Sequence, residues 1–187
     1  LRKRVLLDDY NMDPQVMARY IRDYGPLDFR HPQAHAFYWS KLGSEIGAER
    51  YQSEDEIYKI LNDDRISIQA MQGMAHAGLM SVDPFSKDNP GRMYDARWFK
   101  SIDKYFQELY QKHYKVRGAG GDTFVDFHRN FMTQAVRELY RAGDIEGAQE
   151  ILDRLDKLYG RGAVVPNNEF NKPLDVFVQE TTFGEFE

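Results

Sequence analysis

The stretch AVRELYRAGDIEGAQEILDRL, residues 135–155, holds two apolar runs of helical period on either side of a Gly-Asp pair. Ala135 and Leu139 continue a stripe that begins at Phe124 and passes through Phe127 and Phe131. After Gly143-Asp144 a second stripe runs through Ile145, Ala148, Leu152, Leu155 and Tyr159, and Gly160 closes it. Spacings of three and four residues put each set on one side of a helix. The segment therefore predicts two helices joined by a tight turn at Gly143.

The same periodicity extends toward the N-terminus. A helix is expected from about Asp95 to Lys115 with Trp98, Ile102, Tyr105 and Leu109 inward, broken by VRGAGGD before Asp122 or Thr123 caps the next. Residues 81–93, SVDPFSKDNPGRM, carry two prolines and a glycine and predict a loop. Upstream, Ser53 and Glu56 form a capping box, and Ile57, Leu61, Ile68, Met71, Ala75 and Leu79 share one face through residue 80. The charged NDDR at 62–65 either lies outside one long helix or divides it in two. Asp13, Pro14 and Gly25 bracket the first helix, whose stripe is Met17, Tyr20, Ile21 and Tyr24. A second helix opens at Pro32 with His35, Trp39, Leu42 and Ile46 as its buried stripe, and the tail from Arg161 is irregular apart from a short helix near 174–179. The expectation is one all-α domain over residues 1–187, its antiparallel helix pairs stacked as a short solenoid or an irregular bundle.

Composition narrows the function. With 187 residues, 42% hydrophobic and 14% aromatic, the chain can bury about two-thirds of its unfolded surface. A net charge of −5 argues against a general nucleic-acid binder. The absence of cysteine excludes disulfides, thiolate catalysis and zinc fingers. No apolar run approaches the roughly 18 residues of a membrane span, so the chain reads as soluble as given, cytoplasmic or peripheral to a membrane. Arg2, Lys3 and Arg4 fit either the flank of a removed N-terminal anchor or a solvated terminus, and the solvated terminus is the simpler reading.

Residues 135–155 resemble a tetratricopeptide helix pair, through Leu139, Gly143-Asp144 and Ala148 at the family's spacing. Trp39, Leu42 and Gly43 form a second, partial echo. The stretch YGPLDFRHPQAHAFYW, residues 24–39, together with such a pair, is similar to a group of bacterial helical proteins that brings no activity with it. The tetratricopeptide resemblance implies a scaffold that presents a concave surface to a protein or peptide.

The histidines invite chemistry. His31 and His35, four residues apart, with Asp28 just ahead, have the spacing of a metal site. His31 precedes Pro32, however, so its backbone is that of a cap, and capping and packing explain the pair better. His113 suits the end of its helix, and His76 reads as a partly exposed helix residue. His128 serves either as a hydrogen-bonding core residue or as a general base with Asp126 or Asp122. No nucleophile or oxyanion device stands beside it, which favours the core. RGAGGD at 117–122 lacks the Lys-Ser/Thr and the preceding strand of a phosphate loop and reads as a hinge. SEDE and NDD, with Lys59 and Arg65 nearby, read as solvated faces.

These readings favour a non-enzymatic, cofactor-free interaction module over a metal-binding protein or metal enzyme centred on Asp28, His31 and His35. A partner groove would draw on Tyr24, Trp39, Trp98, Tyr105 and Arg129, the residue types enriched at interaction hot spots, with the two tryptophans alternatively in the core.

Overall fold

The structure, a computed structural model, describes residues 2–50, 54–81, 91–114 and 118–183. Among them the chain forms α1 (Arg2–Asp8), α2 (Pro14–Tyr24), α3 (Pro32–Arg50), α4 (Glu54–Ala77), α5 (Trp98–Tyr114), α6 (Gly118–Arg141), α7 (Ile145–Tyr159) and α8 (Leu174–Phe183). A short antiparallel ladder, β1 (Leu79–Ser81) against β2 (Gly91–Met93), lies between α4 and α5. The fold is all-α. Among the described residues no helix is long and apolar enough to cross a membrane.

Local chemistry sets the helix ends. Asp13 accepts the Gln15 N–H at 2.8 Å and Pro14 takes the first helical position, so α2 starts where its cap is. Gly25 ends it at φ +125°, with a Cβ there only 3.1–3.3 Å from Ser101 and the Trp98 ring. At the other end of the chain, Asp144 N–H reaches Leu139 O and Gly143 N–H reaches Tyr140 O, the paired bonds of a Schellman stop. Gly143 sits at φ +81° to make them, and Asp144 then caps α7 by accepting the Gly147 N–H.

Consecutive helices pack side by side, α3 on α4, α4 on α5, α5 on α6 and α6 on α7, while α8 crosses α6 and α7. Ala148 is fully buried between α6 and α7, where a small side chain lets the axes close. Rings dominate the interior: Tyr20, Tyr24, Phe37 and Tyr105 meet edge to face or tilted, with centroids 5.1–6.3 Å apart.

Several expectations are corrected. The buried face of α3 is Ala34, Phe37, Tyr38, Ser40, Ser44 and Gly47, and the expected stripe points elsewhere: Trp39 is 46% exposed, Ile46 is exposed, and His35 and Leu42 are half-buried. That face joins the aromatic core through Phe37 and Tyr38, which pack on Tyr20, while Ser40 and Ser44 bond across to α4. Ile21 and Ile145 are likewise exposed. Helix α4 runs unbroken through NDDR, yet Asp64 within it is wholly buried, so that run is not a solvated face. The helix ends at Ala77, and Leu79 belongs to β1. The segment 81–93, expected as a loop, pairs as strand at its two ends. Glycines 118, 120 and 121 lie inside α6 rather than forming a hinge, so neither Asp122 nor Thr123 is its cap. The tail helix is longer than expected and docks through Leu174, Phe177 and Val178. The capping exchange between Ser53 and Glu56 lies outside the described residues.

Candidate functional site

The five residues read as a partner surface are not gathered on one. Trp98 and Tyr105 are each 2% exposed, packed in the core with no face left for a partner. Tyr24 is half-buried beside Tyr105, with the Lys41 ammonium over both rings at 5.0 and 5.2 Å. Trp39 lies on the outside of α3, its ring against Tyr38. Arg129 is half-buried on α6 and meets Asp126 at 3.4 Å.

Nor do Asp28, His31 and His35 converge. The Asp28 carboxylate is gripped by the Arg30 guanidinium at 2.6 Å, which holds its pKa down to about 2. His31 Nδ1 accepts the Gln33 N–H at 3.2 Å, the hydrogen bond of an N-cap, and His35 Nε2 donates to Phe29 O at 2.8 Å. Among the described residues no three His, Asp or Glu side chains stand together as a metal site.

What the sequence reading missed are two buried ionic clusters. In the first, Asp64 takes the Ser44 hydroxyl at 2.7 Å, Lys112 Nζ at 2.7 Å and His113 Nε2 at 2.7 Å. Burial alone would raise the Asp64 carboxyl, but the His113 and Lys112 contacts outweigh it and hold it below the ordinary carboxylate range. Lys112 Nζ also reaches Ser44 Oγ at 2.9 Å, a serine–lysine pairing that can activate a hydroxyl. Ser44 is buried, however, so no substrate reaches it, and the cluster binds α3, α4 and α5 together.

In the second, His128 joins three helices: Nε2 lies 2.9 Å from Asp103 on α5 and Nδ1 lies 2.5 Å from the Tyr159 hydroxyl on α7. An ionised Asp103 only accepts, so His128 Nε2–H donates to it, and Nδ1 pairs with the Tyr159 hydroxyl. Burial would raise Asp103, and the hydrogen bonds from His128 and Arg154 overcome it. Tyr159 is pushed up to about 12 by burial and by the Asp103 charge, the opposite of an activated hydroxyl. This relay is therefore a staple.

Both clusters left a trace in the pattern. Asp64 occupies the slot between Leu61 and Ile68 on the α4 stripe, and Asp103 the slot between Phe99 and Phe106 on α5. A polar residue filling a gap in an apolar stripe is the signal, and its partners are distant in sequence.

Among the described residues a groove of about 650 Å³ opens where α5 and α7 flank α6. Phe99, Met132, Leu139 and Ile151 supply an apolar floor. Arg97 and Lys100 line the α5 side, and Asp144 and Glu150 line the α7 side. The walls are tied by Arg154 and Asp103 at 2.7 Å. Arg97 is itself held by the buried Asp95 at 2.7 Å.

Comparison of the chain with protein-family models, curated proteins and solved structures finds no match.

Proposed function

We propose that the chain is a protein-interaction module of helical-repeat type, docking a peptide segment of a partner in the groove between α5 and α7. The observation that carries the reading is the groove itself: an apolar floor, sunk between charged walls, of a size that takes several side chains. The resemblance of residues 135–155 to a tetratricopeptide pair supports it, because that pair supplies one wall and part of the floor. The rigid staples at Asp103 and Asp64 hold the walls in place, which favours binding by a preformed surface. The alternative centred on Asp28, His31 and His35 gains no support from their geometry.

Panning a random peptide library against the immobilised protein tests the proposal. The expected result is enrichment of peptides sharing an apolar motif, whose capture is lost with Ile151→Glu at a temperature where that variant keeps the parent's helical circular dichroism. Selected peptides that bind the Ile151→Glu protein equally well, or a library that yields no common motif, would reject the groove as the site.

A further inference from the structure

We infer that the groove's occupant is an amphipathic helix with an acidic flank against the α5 wall and a basic flank against the α7 wall. This rests on the groove being the docking site. The first step concerns backbone. The groove is lined by residues of α5, α6 and α7 and the turns beside them, with no strand among them, so an extended peptide finds no sheet edge for its N–H and C=O groups. A helix satisfies its own backbone and needs only an apolar stripe for the floor.

The second step concerns charge. Arg97 is answered by Asp95, and Asp144 is engaged by the Gly147 N–H. Arg154 and Asp103 answer one another. That leaves Lys100 and Glu150, on opposite walls. Among the described residues neither has an ion-pair partner, and they do not pair across the groove. An occupant that covers the floor removes water from both. Each is then compensated only by an opposite charge on the flank that faces it. Turning a helix end for end exchanges its flanks, so a helix with unlike flanks satisfies both walls in one direction only. The charge polarity of the groove thus sets the direction of binding.

Three synthetic helical peptides with one leucine stripe test this: one with Glu on one flank and Lys on the other, one with Glu on both, one with Lys on both. In fluorescence anisotropy at low salt the mixed peptide should bind about tenfold more tightly than either, with the gap narrowing as salt rises. Glu150→Lys should pass the preference to the all-Glu peptide, and Lys100→Glu to the all-Lys peptide. Equal binding of the three, lost in Ile151→Glu, would overturn the charge inference and leave the groove standing. No binding, or binding indifferent to Ile151→Glu, would overturn both.

Discussion

Asp64 shows how one buried carboxylate can organise three helices. Its two oxygens take a hydroxyl, an ammonium and an imidazole, so it is satisfied as an anion in an interior that would otherwise reject it. Removing it strands Ser44 and His113, both buried, while Lys112 is exposed enough to turn to water. Asp64→Ala is therefore expected to lower stability by about 3 kcal/mol, in the range for a buried pair that loses one member. Urea denaturation checks this, and a loss below about 1 kcal/mol would show that the cluster contributes little. His31 and His35 show the converse. Their spacing suggested a shared ligand, yet His31 caps a backbone N–H two residues on and His35 reaches back six residues to the Phe29 carbonyl. Spacing reports which residues share a face, and hydrogen-bond accounting reports what they do there.

Among the helices, the α6–α7 pair is where local sequence and structure agree most closely. Gly143 adopts φ +81°, and a side chain there would meet nothing within 4 Å, so its requirement is purely conformational. Gly143→Val should cost about 1–2 kcal/mol through backbone strain alone. Gly143→Asn should cost much less, because asparagine tolerates the left-handed region. Thermal melts of both variants test the turn, and equal losses would point to a packing effect instead. Helix α3 is the contrast. Its residues 35, 39, 42 and 46 have good helical spacing, but its inward face carries Phe37 and Tyr38 together with serines that bond to Ser67 and Asp64 on α4. Hydrophobic period identifies the helix correctly and selects the wrong side when the partner helix offers buried hydrogen bonds.

For the molecule as a whole, the two clusters predict how stability depends on pH. Asp64 and Asp103 both have folded-state pKa values below the ordinary value of about 3.9 for an unfolded chain. Their contribution is therefore complete above that value and is lost as pH falls through the folded values. The melting temperature should hold between pH 6 and 5, decline from about pH 4 downward, and decline less steeply in Asp64→Asn. An acid limb of the same steepness in the variant would remove Asp64 from the account. The exposed pair Arg30–Asp28 should add little, since water screens it.

The all-α class, the ends of α2, the span and inward face of α5 and the turn at Gly143 are legible in the chain because they depend on neighbours three to five residues away. Caps, glycine stops and apolar periods act at that range. The inward face of α3, the burial of Asp64, the Asp103–His128–Tyr159 staple and the groove between α5 and α7 are not legible. Asp64 meets Ser44 and His113 across separations of 20 and 49 residues, and Asp103 meets His128 across 25. A charged side chain is stable inside only when such partners are present, so its burial is decided by the packing of whole helices.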